Sequence, residues 1–375
     1  MAIVRALGHI LRAIHILLAA ATVGVALSTR YSPEEIGIFC MGWFGFPYLW
    51  LALCAATLAS LAGRQKVTTL VGVCALALTF GEAKRVIDFP TPSGKEAPEG
   101  KKGVKLLSYN VLNLVGTGLE AWPEHRADSI AANVSASGAD IVCFQESSPV
   151  EVVNSRQELR DIKKMWDSYS HHLSHGVNGD LTILTNLPIR KITAPRELGL
   201  TGQPPLAFMA ADIALGDGDT VRIFNCHLAS YMLSGKDIDA VTGLDMGKER
   251  VGKLRQIYCR MRNPLCQRAA QTRLLAQAVA CSPHPVVICG DFNDTPISYT
   301  FAHLMEARPE GDATSGLSEA RQTGSLRMAR TYRGNLPPLR IDYVIKSGQI
   351  ETWGYEEHDW AWSDHKAVSV YFCHK

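Results

Sequence analysis

Apolar residues are spread unevenly along the chain. Long uncharged runs fill roughly the first ninety positions, and short runs separated by polar stretches follow. Three long runs stand out: "ILRAIHILLAAATVGVAL" from Ile10 to Leu27, broken by Arg12; "IGIFCMGWFGFPYLWLALCAATLASLA" from Ile36 to Ala62, with no charge; and "VTTLVGVCALALTFG" from Val67 to Gly81. A helix needs ~20 apolar residues to cross the hydrocarbon layer. The pattern therefore predicts a transmembrane region over 1–88 with spans near 10–28, 37–62 and 66–81. Arg5 ahead of the first run and Ala-Leu-Ser after it also fit a cleaved signal peptide. The third run is short enough for a buried or interfacial helix. The long second run directly after the first favours three spans.

From Phe89 to Gly103, "FPTPSGKEAPEGKKG" mixes Pro, Gly and charge without an apolar period, so 89–103 reads as a linker. Beyond it, 104–375 alternates strand-like and helical patterns. Strands are expected at Val104–Tyr109, Ile141–Phe144, Leu181–Thr185, Phe208–Leu215, Val221–Cys226, Val286–Cys289, Ile341–Ile345 and Ala367–Phe372. Helices are expected at Glu124–Ser137, Val150–Ser168, part of Lys248–Cys281, and Ser298–Glu306. This is the signature of an α/β or mixed sandwich domain. No internal repeat or low-complexity segment interrupts it.

Composition sharpens the membrane reading and little else. Apolar residues make up 47% of the chain, and the net charge of +2 neither implies nor excludes nucleic acid. Arg5 and Arg12 at the first span, with Arg64 and Lys66 between the second and third, read as cytoplasmic. That orientation places the rest of the chain outside, although Lys84, Arg85, Lys101, Lys102 and Lys105 pull the other way. Cys143, Cys226 and Cys289 sit in apolar strands as buried thiols. Cys259 and Cys266 form a local disulfide if the domain lies outside; no zinc spacing occurs among the ten cysteines.

Candidate chemistry gathers where strands end. "LLSYN" ends on Asn110, "IVCFQE" on Glu146, "VRIFNCH" on His227, and "VVICGDFN" on Asp291 and Asn293; "RIDYV" carries Asp342 and "WSDHKAV" presents Asp364 and His365. One such residue alone usually forms a turn or caps a helix. Six strand ends with the same habit point instead to one shared rim, where ligands bind. The set is chemically coherent: carboxylates suit a hard cation, amides orient oxygens, and imidazoles beside carboxylates stay protonated.

The ordered series "SYNV", "FQE", "NCHL", "GDFND", "RIDYV" and "SDH" resembles the endonuclease/exonuclease/phosphatase superfamily. Its members include deoxyribonuclease I, apurinic/apyrimidinic endonucleases, neutral sphingomyelinases and inositol-polyphosphate 5-phosphatases. The resemblance runs from Val104 to the C-terminus and fits a membrane-anchored, bacterial-type member; "GDFND" and "SDH" carry most of it. It implies a four-layer α/β sandwich, two mostly antiparallel sheets flanked by helices, and hydrolysis of a phosphate ester with Mg²⁺ or Mn²⁺. By the same resemblance Glu146 is the principal metal ligand, with Asn110 beside it and Asp364 completing the site. Asp291 orients or deprotonates the attacking water, and Asn293 holds it or a phosphate oxygen. His365, paired with Asp342, stabilises charge in the transition state, and His227 lies near the leaving side.

Other residues are less telling. Arg333 and Arg340 are candidate phosphate contacts, since a guanidinium meets phosphate oxygens bidentately. "SHHLSH", with His171, His172 and His175, reads as a solvated loop, and Asp180 as a substrate contact or a turn cap. Gly290 is expected to let the chain turn, and Asp294 and Thr295 to cap the turn or the helix opened by Pro296. The segment from Ser230 to Arg268 suits a basic wall over the site, a membrane-surface contact or a solvated helical hairpin. The expected protein is a multi-pass membrane phosphoesterase with an extracytoplasmic catalytic domain, acting on nucleic acid or phospholipid and held in the bilayer by its N-terminal helices. The competing class is a catalytically inactive, membrane-anchored binding module.

Overall fold

The computed structural model describes residues 2–89, 97–114, 126–175, 180–193, 207–216, 218–231, 248–312, 316–322, 325–334 and 339–375. The helices are α1 (Ala2–Ser28), α2 (Pro33–Ile36), α3 (Gly42–Ala62), α4 (Lys66–Leu78), α5 (Phe80–Val86), α6 (Arg126–Ser137), α7 (Val150–Ser155), α8 (Arg160–Asp167), α9 (Lys248–Ala280) and α10 (Tyr299–Met305). The strands are β1 (Ile87–Asp88), β2 (Val104–Asn110), β3 (Ile141–Gln145), β4 (His171–His175), β5 (Leu181–Thr185), β6 (Ile189–Thr193), β7 (Phe208–Ala214), β8 (Thr220–His227), β9 (Val286–Asp291), β10 (Leu317–Glu319), β11 (Arg327–Met328), β12 (Asp342–Ser347), β13 (Ile350–His358) and β14 (Ala367–His374).

Two six-stranded sheets form the larger, C-terminal part, in the orders β10-β12-β9-β8-β7-β6 and β13-β14-β2-β3-β5-β4. Each contains one parallel pair, β8 with β9 and β2 with β3. The strands are apolar on both faces because each sheet is covered twice. Leu106, Cys143 and Ile183 face Ile223, Val287 and Val344 across the central layer. Their neighbours Leu107, Val142 and Phe144 turn outward onto Ile130 and Val134 of α6 and Ile162 of α8. Phe224, Ile288 and Ile345 do the same onto Leu275 and Val279 of α9 and Phe301 of α10. The four layers implied by the sequence are thus present.

The N-terminal helices form a separate bundle. Ala6–Ser28 and Pro33–Ala62 are each long and apolar enough to cross a membrane, and α4 and α5, bent by 60° at their junction, make a third if joined. Inside the bundle His15 bonds Ser60 at 2.8 Å and Thr57 at 3.3 Å. Gly72 lets α4 approach there, since a Cβ would lie 2.1 Å from Thr57 Oγ1.

One end of this bundle is built into the C-terminal part. Trp43, Phe46, Ala83 and Val86 share a core with Ile257, Met261 and Leu265 of α9 and with Ile297 and Tyr299. Just beyond α5, β1 pairs antiparallel with β11, and the buried Asp88 accepts from Arg321 and Arg327, both also paired with Glu357. The chain therefore joins the C-terminal part before the 89–103 segment begins, of which residues 90–96 lie outside the described residues.

Several local expectations are corrected. α9 runs unbroken for 33 residues through Pro264; residues 232–247, the rest of the Ser230–Arg268 segment, lie outside the described residues. Cys259 and Cys266 are free on this one helix, seven residues and therefore about 10 Å apart along its axis, too far to be bridged. "SHHLSH" is not a loop but the edge strand β4, whose polar side chains suit an unpaired edge. Gly290 lies within β9 rather than at a turn. Its φ is +133°, and a Cβ there would lie only 1.9 Å from Cys226 O, so it admits no side chain because β8 passes so close.

Candidate active site

Seven chain segments bring polar groups to one rim of the two sheets. Asn110 closes β2, Glu146 follows β3, Asp180 precedes β5, His227 closes β8, Asp291 closes β9 with Asn293 just past it, Asp342 opens β12, and Asp364 and His365 precede β14. The parallel pairs explain much of this convergence. Both strands of a parallel pair end on the same edge, so β2 with β3 and β8 with β9 deliver four chain ends together. Beneath the rim the sheets are tied by Gln145 Nε2, which donates to Asn225 Oδ1 at 2.7 Å, and by Asn225 Nδ2, which donates to the Phe144 carbonyl at 2.9 Å.

Asp291 is the centre. Its Oδ1 accepts from the Asn293 backbone N–H at 2.8 Å, and its Oδ2 accepts from the amides of Asn110 at 3.0 Å and Asn293 at 3.2 Å. The Asn110 amide also donates to Glu146 Oε1 at 2.9 Å, while its oxygen accepts from Leu112 N–H. The Asn110 amide nitrogen thus bridges the carboxylates of Glu146 and Asp291. Asn293 is fixed in turn by donation to Leu228 O at 3.0 Å.

Two His–Asp pairs flank the centre. His365 Nδ1 lies 3.0 Å from Asp342 Oδ2, with Nε2 3.6 Å from Asp291. Thr331 Oγ1 accepts from the Asp342 backbone N–H, and the Tyr332 ring sits edge-on to His365 at 5.2 Å. Burial opposes charge on His365, yet Asp342 and Asp291 outweigh it and raise its pKa to about 10. On the other side His227 Nδ1 lies 2.9 Å from Asp180, and Nε2 points at Glu146 and Asp291 from 3.7 and 3.9 Å with no hydrogen-bond partner among the described residues. Burial again opposes the charge, and Asp180, Asp291 and Glu146 overcome it to raise the pKa to about 9. Burial raises the pKa of Asp291 itself, partly offset by His365. Asp364 is likewise raised by burial, with His365 opposing, and its carboxylate lies 3.9 Å from His365 Nε2.

Glu146 and Asn293 both adopt left-handed backbone, φ +49° and +51°. Such residues cost about 1–3 kcal/mol each and persist where packing over-determines them. Here the reversal aims each side chain back onto the rim.

The residues present suit a divalent cation. Ligand atoms of Glu146, His227 and Asp291 lie within 4.8 Å of one another, as do those of Asp291, Asp342 and His365. Five carboxylates face two imidazoles, so even with both rings charged the cluster carries a net negative charge. Hard cations seek carboxylate oxygens in such a setting.

Of the two candidate phosphate contacts, one lies at the rim. Arg333 borders Asp364, its backbone N–H donating to Asp364 O at 2.6 Å and its guanidinium pairing with exposed Asp359 at 2.6 Å. Arg340 is corrected: it is 2% exposed, paired with Glu319, donates to Arg85 O and stacks on Tyr343. Ser298 caps α10 by accepting from Phe301 N–H, whereas Asp294 and Thr295 cap the turn before it: Thr295 N–H donates to Asp294 Oδ1 and Thr295 Oγ1 donates to Ile297 O, both at 3.0 Å. Asp294 also meets buried Arg268 at 3.1 Å. The pairing of Asp180 with His227 was hidden in the sequence because the two stand 47 positions apart; the only signal was a carboxylate at the entry of a rim strand.

Residues 107–365 match the model of the Endonuclease/Exonuclease/phosphatase family, and the chain belongs to that family, whose members are generally phosphoester hydrolases. No curated protein matches the chain. Among solved structures it is similar to the human nocturnin catalytic domain with bound sulfate (17% identity, 73% of this chain and 95% of that one, TM-score 0.46). It is also similar to truncated TDP2 of Caenorhabditis elegans (18%, 72% and 97%, 0.44) and to an endonuclease/exonuclease/phosphatase from Bacteroides vulgatus (16%, 73% and 100%, 0.48).

Proposed function

We propose that the protein is a membrane-anchored phosphoesterase that uses a divalent cation, Mg²⁺ or Mn²⁺, and water activated at Asp291. The observation that carries this reading is the Asp291 carboxylate held by two amides between two His–Asp pairs, opposite Glu146. Glu146, with Asp364 at the rim, would hold the cation, which neutralises charge on the phosphate oxygens.

The protein's own residues supply the rest. Asp291, buried and fixed by Asn110 and Asn293, orients the water and takes its proton. His365, kept charged by Asp342, donates to a non-bridging phosphate oxygen as negative charge builds there. His227, kept charged by Asp180, stands on the other side of Asp291, where it donates to the departing oxygen. Arg333 adds a cationic contact at the rim. A binding module would need neither imidazolium held against a buried carboxylate.

The test is hydrolysis of bis-p-nitrophenyl phosphate by the full-length protein, with Mg²⁺ or Mn²⁺ and with a chelator. Turnover that needs the cation supports the reading. Metal-independent turnover, or none, overturns it.

A further inference from the structure

The catalytic loops lean directly on the end of the hydrophobic bundle. Tyr231, four residues past His227, meets Phe44 of α3 edge-on at 5.4 Å. The Arg268 guanidinium stacks over the Tyr231 ring at 4.0 Å and binds Asp294, the residue after Asn293. On the next turn of the same loop, Thr295 and Pro296 form a narrow slot with Trp43, Phe44, Pro47 and Tyr48. Two side chains thus separate a site residue's neighbour from the first turn of a helix apolar enough to cross a membrane.

That contact sets a height. α3 has 21 residues, or about 31 Å of helix, of which the first turns pack against these loops and the rest continues as apolar helix. Its first three turns carry Tyr48 and Trp50, the residue types enriched where a helix meets the membrane–water boundary, while Trp43 is buried against the α9 side chains. The neighbouring turn exposes Ile38 (56%) and Phe39 (74%), continuous with the exposed apolar surface of the bundle. The lipid headgroup layer is only about 5–8 Å deep on each side. The loops that follow His227 and Asn293 rest on the first turns of this helix.

We infer that the substrate is a phosphate ester carried by a membrane lipid of the adjoining leaflet, its chains remaining in the bilayer beside the outer end of α3. This rests on the phosphoesterase reading above. The step is hydrolysis: the water oxygen bonds to phosphorus, one ester P–O bond breaks, and the departing oxygen takes a proton. A diester yields a monoester and an alcohol. Ile38 and Phe39 enter the leaflet and hold the rim at headgroup height.

The test uses the full-length protein in nanodiscs containing phosphatidylglycerol, phosphatidic acid or sphingomyelin. Each lipid is compared with its soluble deacylated or chain-free headgroup analogue, with a single-stranded DNA oligonucleotide, and with bis-p-nitrophenyl phosphate. The expected result is at least one lipid cleaved about tenfold or more faster, as kcat/KM, than its soluble analogue and than the oligonucleotide, from the raised local concentration. Ile38→Ser with Phe39→Ser should lower lipid cleavage several-fold and leave bis-p-nitrophenyl phosphate cleavage unchanged. Equal or faster cleavage of the analogue or the oligonucleotide overturns the inference, as does cleavage of bis-p-nitrophenyl phosphate with no lipid cut. If bis-p-nitrophenyl phosphate also survives, the phosphoesterase reading falls with it.

Discussion

His365 and Asp342 stand 3.0 Å apart, both nearly buried, with the free ring nitrogen of the histidine turned toward Asp291. The pair keeps a cation inside a site that must stabilise anionic charge, and it makes that cation depend on one carboxylate.

Replacing Asp342 with Asn should therefore lower the His365 pKa from about 10 toward its usual value. The alkaline limb of the kcat profile then moves to lower pH. The same shift links to stability: a raised histidine pKa stabilises the fold fully below about pH 6.5, and that contribution disappears as pH rises toward 10. Thermal melts of the native chain from pH 6.5 to 10 should fall more steeply than those of the Asn variant. An unmoved alkaline limb would remove the pair from the mechanism.

Asp291→Asn and His365→Ala should each cut turnover by about 10²–10⁴, the usual scale for losing an acid–base group. Circular dichroism should show the fold retained. Near-normal hydrolysis by either variant contradicts the roles given to these residues.

Arg268→Ala should destabilise by about 3–5 kcal/mol, because it leaves the Asp294 carboxylate buried without its partner. Arg268→Ala with Asp294→Ala should recover part of that loss. Denaturant titration of both variants measures the coupling, and simple additivity would mean that the pair is not energetically linked.

Cys259 and Cys266 should both react with an alkylating reagent in unreduced, denatured protein, since helix α9 holds them apart. Mass spectrometry counts the adducts. A peptide pair that appears only after reduction would show the bridge that this helix forbids.

Much of this architecture was legible from patterning. Leu181–Thr185 formed as expected, and most other core strands differ by a residue or two at their ends. They are apolar runs bounded by polar residues, the signal that double-sided burial leaves. β4 and β6 were missed because edge strands, wet on one side, lack that signal. The rim residues were visible because they end buried strands, where polarity has little other purpose. Arg340 misled because an arginine that grips phosphate and one that neutralises Glu319 look identical in sequence. The roles of Asp180 and Arg268 depend on partners 47 and 26 residues away, a separation that local pattern does not encode.

The pairing of β1 with β11 bears on how the protein can be handled. Cutting the chain at Val104 to obtain a soluble enzyme removes one strand of a two-stranded sheet and strips Arg321 and Arg327 of Asp88. It also uncovers Ile257, Met261 and Leu265, which the bundle shields. The hydrophobic helices thus act as a wall of the two-sheet body, so a variant cut at Val104 should expose apolar surface and aggregate where the full chain does not.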